Sequence, residues 1–130
     1  MSARFVATLR AVCLLAGLAL VALAPGSARA GDAAAGKTVY DTNCTTCHGP
    51  TGKGDGPVGA ALTPRPRDFS AGDFKFDTDN DGKTGTDADL KNVITKGAGA
   101  YGGSPLMAPW GHLPEKDVEN VIAYIRTLKK

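Results

Sequence analysis

The chain has 130 residues, which is room for one small domain. It contains 15 basic and 13 acidic residues, and three of the basic residues fall within the first thirty positions. Residues 31–130 therefore hold twelve basic against thirteen acidic side chains, a net charge near −1. That balance excludes the basic field on which binding to nucleic acid depends.

The first thirty residues have the layout of a secretory signal peptide. Arg4 and Arg10 give a positive start, residues 12–24 are almost wholly apolar, and residues 28–30 place small side chains where a signal peptidase reads. An uncleaved membrane anchor is the alternative, but the apolar run is shorter than the ~20 residues that span a hydrocarbon core. We therefore expect cleavage after about Ala30, a periplasmic location, and a mature domain over residues 31–130 with no integral membrane span.

Three stretches of the mature region have the pattern of helices. The first begins at a candidate cap, Asp32, and covers residues 33–40. The second begins after Thr86, carries acids in its first turn and stops at Gly97. The last begins within residues 113–117 and has apolar side chains on one face: Val118, Val121, Ile122, Ile125 and Leu128. No alternating strand pattern appears, and 15 of the 17 glycines lie here, so we expect an all-α fold of three main helices and long loops.

Cys44, Cys47 and His48 form the strongest motif of the sequence. The spacing C-x-x-C-H is that of a c-type haem attachment site. Residues three apart lie about one helical turn from each other, so two thiols can meet two vinyl groups on one porphyrin edge, with the histidine beneath the iron. A redox dithiol is the alternative, but it is expected beside a βαβ pattern. A zinc site needs about four ligands, and the mature region offers Cys44, Cys47, His48 and His112. Because Cys47 and His48 are adjacent, this set suits a tetrahedral site poorly.

Beyond this motif, the mature chain resembles a class I cytochrome c over nearly its whole length. Gly36 and Tyr40 precede the motif at the family's spacing, and Tyr124 lies in the last helix. Residues 52–57 resemble the family's loop after the motif, and residues 107–110 resemble its distal methionine loop. The resemblance implies a small cytochrome c-like fold around one covalently bound haem c, with the two end helices packed together. It also implies a one-electron carrier, not an enzyme, that serves redox protein partners.

The resemblance further implies that a methionine completes the ligands of the iron, and Met107 is the candidate. It is the only methionine of the mature region, and Pro105 and Pro109 stiffen the loop around it. With His48 it would form the His/Met pair of cytochromes c. His112 is the rival axial ligand. An unligated Met107 would leave a five-coordinate haem that binds small ligands or reduces peroxide.

A second motif lies ahead of the second helix. Asp77, Asp79 and Asp81 match the first half of an EF-hand calcium loop, D-x-D-x-D-G. The twelfth position, where such a loop has a bidentate acid, is Ala88. The run therefore predicts either a shortened calcium site or a solvated turn before the helix.

Overall fold

The computed structural model describes residues 31–130, and the expected signal peptide lies outside the described residues. Four α-helices occur in this part of the chain: α1 Ala33–Asn43, α2 Thr45–His48, α3 Asp87–Lys96 and α4 Glu115–Thr127. Short 3-10 turns interrupt the loops at Gly59–Ala61, Phe69–Ala71 and Ala98–Tyr101. No β-strand occurs within residues 31–130, so the prediction of an all-α fold with three main helices is confirmed. None of the helices described here is both long and apolar enough to cross a membrane.

The ends of the long helices follow local chemistry. Asp32 begins α1, because its carboxylate accepts the N–H group of Ala34 at 2.8 Å. Thr86 and Asp89 form a reciprocal capping box at the start of α3. That helix ends at Gly97, whose φ of 81° lies where residues with a side chain are strained. The predicted caps and stop are therefore confirmed, and α1 runs toward Cys44 as expected, ending at Asn43.

The first and last helices cross in direct backbone contact. A Cβ atom on Gly36 would lie only 1.9 Å from the carbonyl oxygen of Asn120, so only glycine fits at this crossing. The side chain of Asn120 also accepts the N–H group of Asp32 at 2.8 Å. Tyr40 of α1 and Tyr124 of α4 meet edge to face, with ring centroids 5.1 Å apart. The expectation that the two end helices pack together is therefore confirmed.

The apolar core lies between α1, α3, α4 and the loop before α3. Its buried members are Tyr40, Phe69, Leu90, Val118, Val121, Ile122 and Ile125. Tyr40 is fully buried, and its hydroxyl donates a hydrogen bond to the carbonyl of Gly49 at 2.8 Å. This bond ties the helix crossing to the residue that directly follows His48. The core therefore fixes the position of the cysteine motif through this hydrogen bond.

Candidate functional site

The two cysteines of the motif lie where α1 passes into α2. The N–H group of Cys44 donates to the carbonyl of Tyr40 at 2.8 Å. The N–H groups of Cys47 and His48 then donate to the carbonyl of Cys44, at 3.2 and 2.8 Å, so the motif makes one helical turn. Both cysteines are half-buried free thiols. Burial, assisted by the neighbouring Cys47, raises the pKa of Cys44 to about 11, so this sulfur is a protonated thiol at neutral pH.

His48 is buried at the end of this turn, with 9% of its surface exposed. Its Nδ1 atom lies 3.4 Å from the carbonyl oxygen of Arg67. Because a carbonyl can only accept, Nδ1 carries the proton and Nε2 keeps a free lone pair. Burial lowers the pKa of His48, although the Arg67 carbonyl acts in the opposite direction. The neutral imidazole that results is the form that ligates metals.

The motif borders an apolar space, which we call the central cleft. Its larger part has a volume of about 590 Å³ and its smaller part about 150 Å³. His48, Phe69 and Met107 line both parts, so the two adjoin, while Cys44 and Cys47 line the smaller part together with His48 and Met107. A cleft of several hundred Å³ with apolar walls is typical of a cofactor site. Two thiols, a neutral imidazole and a thioether on one such space are the donor set that haem c requires.

Charge is distributed unevenly around the central cleft. The charged residues that line the larger part are Arg65, Arg67 and Lys75 together with Asp68 and Asp89. The smaller part has no Asp, Glu, Lys or Arg among the described residues that line it. At its rim lies Leu106, which is 57% exposed. The cleft therefore has a charged side and an uncharged cysteine side.

The loop that carries Met107 is held in place by its own backbone. The N–H group of Met107 donates to the carbonyl of Ser104, and its carbonyl accepts the N–H group of Ala98, both at 3.2 Å. His112, by contrast, is exposed, packs beside Trp110 with ring centroids 5.4 Å apart, and lines neither part of the cleft. The structure thus brings Met107 together with the cysteine motif and leaves the rival ligand outside.

The carboxylates that lie together near residues 77–81 are not the three of the expected calcium loop. Carboxylate oxygens of Asp77, Asp79 and Asp89 lie within 4.8 Å of one another. Asp89 takes the place expected for Asp81, whose carboxylate instead accepts the N–H group of Lys83 at 2.8 Å. These carboxylates accept local hydrogen bonds that close the turn. Calcium binding by this run stays a prediction.

Two contacts of His48, with Arg67 and with Phe69, could not be predicted from the sequence. The Phe69 ring lies face to face with the imidazole, with centroids 4.5 Å apart and planes at 17°. Both residues lie in the loop over residues 49–86, where no periodic pattern marks a buried position. The one available signal is an isolated aromatic residue in the run Pro-Arg-Pro-Arg-Asp-Phe at residues 64–69.

Comparison with known proteins agrees with this geometry. The cytochrome c family profile matches residues 33–129. The chain is 42% identical over 105 residues to cytochrome c-554(547) of Halothiobacillus neapolitanus. The aligned region covers 77% of this chain and the whole of that protein.

Among solved structures, the chain is similar to one in the reducing HAO-like protein complex of Kuenenia stuttgartiensis. The two are 32% identical, with a TM-score of 0.64 over 78% of this chain. This chain spans only 44% of the length of that one. With the family match and the curated relative, the chain belongs to the cytochrome c family, as a class I c-type cytochrome that carries covalently bound haem c.

Proposed function

We propose that the protein is a periplasmic one-electron carrier, with haem attached to Cys44 and Cys47 and ligated by His48 and Met107. The observation that carries this proposal is that all four side chains line one central cleft. The signal-peptide layout of residues 1–30 supports export and a mature domain over residues 31–130.

The two thiols would hold the porphyrin through thioether bonds. Each bond would form by addition of an S–H group across a vinyl double bond, with the sulfur on one carbon and the hydrogen on the other. The single turn of Cys44 and Cys47 gives the two sulfurs the spacing that this attachment requires.

His48 and Met107 would serve as the axial ligands. The Arg67 carbonyl keeps the proton on Nδ1 of His48 and so presents Nε2 as a ligand. The backbone bonds of Met107 hold its loop against the cleft, which limits the entropy lost on ligation. A His/Met pair leaves no open position for substrate, which supports electron transfer rather than catalysis.

The charged side of the central cleft offers partners for the acidic groups of a haem. The part of the cleft that the cysteines do not line has three cationic and two acidic residues: Arg65, Arg67, Lys75, Asp68 and Asp89. The three cations would offset the charge of haem propionates placed in this part, while the apolar walls would exclude water from the metal.

Haem attachment is tested by the mass of protein purified from the periplasm and denatured. We expect the mass of residues 31–130 plus one haem, with Gly31 as the amino terminus. A mass equal to the polypeptide alone would overturn the proposal. A different amino terminus on a haem-loaded chain would correct only the cleavage site.

The axial ligand is tested by Met107→Ala, with His112→Ala as the matched control. Met107→Ala should abolish the thioether-to-iron band at the red end of the ferric spectrum. It should also lower the reduction potential, because a thioether favours ferrous iron. His112→Ala should leave both unchanged. A wild type without this band, whose haem spectrum and potential change in His112→Ala but not in Met107→Ala, would assign the ligand to His112. A wild type without the band that neither variant alters would favour a five-coordinate haem.

A further inference from the structure

Phe69 covers one face of the His48 imidazole. The ring centroids lie 4.5 Å apart and the planes are inclined by only 17°, which is a stacked arrangement. Two residues earlier in the same loop, the carbonyl of Arg67 lies 3.4 Å from Nδ1 of the same imidazole. One short segment therefore contacts the histidine both at its edge and across its face.

The Phe69 ring is itself held from several sides. Its backbone N–H group donates to the carbonyl of Gly52 at 2.7 Å. Tyr40 meets the ring edge on at a centroid distance of 6.4 Å, and Phe74 stacks on it at 5.9 Å. A Cβ atom on Gly52 would lie 3.2 Å from the Phe69 side chain, so the backbone there already packs closely against it. The ring therefore has little freedom to rotate or withdraw.

The two contacts restrain different motions of the imidazole. The imidazole plane turns about the Cβ–Cγ bond, and a single hydrogen bond of 3.4 Å at Nδ1 sets the tautomer but opposes this turn only weakly. A flat surface against the ring face opposes it more strongly, because any rotation moves imidazole atoms into the neighbouring ring. Phe69 thus restrains the plane of the imidazole more than the carbonyl does.

We propose that Phe69 is a positioning residue that sets the plane of the His48 imidazole and thereby tunes the reduction potential of the haem. This inference rests on the proposed role of His48 as an axial ligand. The orientation of an imidazole plane governs its overlap with the iron d orbitals, which the paramagnetic ferric state reports directly. The phenyl ring also keeps water from that face, and water there would favour the more positively charged ferric state.

The test compares Phe69→Leu with Tyr124→Leu in the haem-loaded protein. Both variants remove one aromatic ring from the interior, but Tyr124 contacts Tyr40 rather than the histidine and lines neither part of the central cleft. We expect Phe69→Leu to change the spread of the ferric haem-methyl NMR shifts and the EPR g values, and to lower the potential. Tyr124→Leu should lower the midpoint of thermal unfolding while leaving those three readouts as in the wild type.

A measurement on the unmodified protein keeps the proposal falsifiable if Phe69→Leu does not fold. In the ferrous state, nuclear Overhauser effects between the Phe69 and His48 ring protons should be observed. Their absence would overturn the proposal. It would also be overturned by a Phe69→Leu variant that keeps its haem and its red band and matches the wild type in g values, methyl shifts and potential. In that case the electron-carrier function would stand, since haem attachment and Met107 ligation are measured separately.

Discussion

Asp89 is a buried carboxylate that joins α3 to the acidic turn before it. Only 1% of its surface is exposed. One oxygen accepts the N–H and hydroxyl groups of Thr78 at 2.6 and 2.8 Å, and the other accepts the same two groups of Thr86, both at 2.8 Å. All four donors need a full anion as their partner, so the charge at this position has a structural role.

Asp89→Asn should lower the free energy of unfolding by about 2–3 kcal/mol. An amide nitrogen cannot accept, so the donors of one threonine would be left buried without a partner. Chemical denaturation of the ferric protein measures the effect. Asp73→Asn is the control, because Asp73 is exposed and only pairs with Lys75 at 3.3 Å, and its loss should cost less than ~0.5 kcal/mol. Equal effects of the two variants would contradict this prediction.

The same carboxylate should make stability fall in acid. Burial raises the pKa of Asp89, but the hydrogen bonds from Thr78 and Thr86 outweigh burial and lower the pKa to about 2. Because the unfolded value is about 3.9, the ionised group contributes stability that is fully present above that pH and is lost as the pH falls through 2. The gap in unfolding free energy between wild type and Asp89→Asn should therefore narrow between about pH 4 and 2. A gap that stays constant would refute this assignment.

Among single residues, the sequence singles out those with a local signature. Cys44, Cys47 and His48 stand out because one turn of helix dictates their spacing, and the structure has that turn, while their bonds to haem stay a prediction. Asp89 was expected in the first turn of a helix, but its bonds to Thr78 were not, since they join residues eleven positions apart across a loop. Phe69 was missed for the same reason. A contact made by tertiary packing leaves no periodic trace in the chain.

At the scale of elements, the crossing of α1 and α4 depends on Gly36, which has no side chain. Intrinsic propensity alone would favour alanine at Gly36 by about 1 kcal/mol. The crossing opposes that gain, because the added Cβ would lie 1.9 Å from a backbone oxygen. Backbone cannot swing aside as a flexible side chain can, so the steric cost outweighs the gain in propensity.

Gly36→Ala should therefore destabilise the protein, by roughly 1–3 kcal/mol, as overpacking of a close contact does. Unfolding in guanidinium chloride, followed by circular dichroism, gives the value. Ala35→Gly, at an exposed position of the same helix, should cost about 1 kcal/mol from propensity alone. A stabilised Gly36→Ala variant would mean that the two helices do not meet as closely as described.

The helices were predictable and the loops between them were not. α3 and α4 have an apolar stripe, and α3 also has a capping box, so their positions follow from short-range rules. The 3-10 turn at Phe69–Ala71 lies against the central cleft and the one at Gly59–Ala61 lies against the backbone of Cys47, so packing rather than propensity shapes both. A Cβ atom on Gly59, for example, would lie 1.8 Å from the carbonyl oxygen of Cys47.

For the whole molecule, the uneven charge of the central cleft bears on the proposed route of electron transfer. The sequence has lysines at positions 53, 75, 91 and 96, of which Lys75 pairs with Asp73 and Lys91 with Glu115. The cysteine side of the cleft has no charged lining among the described residues. If the thioether edge of the haem faces that side, as proposed, we expect electron transfer there to depend little on the charge of the partner.

Oxidation rates with small reagents should accordingly depend little on salt. With ferricyanide and with a cationic cobalt tris-phenanthroline, rate constants should change less than about threefold between 0.01 and 0.5 M ionic strength, whereas charged clefts alter rates by 10–10³. Leu106→Lys should make the ferricyanide reaction faster at low salt, and Ala34→Lys on the exposed side of α1 should not. Steep and opposite salt effects in the wild type would show that charge surrounds the exit route.

The contact between α1 and α4 also bears on the order in which the domain can assemble. In a chain exported from its amino terminus, as proposed, Cys44 and Cys47 would emerge before residues 118–125. Until α4 arrives, Gly36 lacks its contact with Asn120, and Tyr40 has only the Phe69 ring and the Gly49 carbonyl as partners. The packing that fixes the cysteine motif would therefore be completed last, which would leave the two thiols accessible for porphyrin attachment until then.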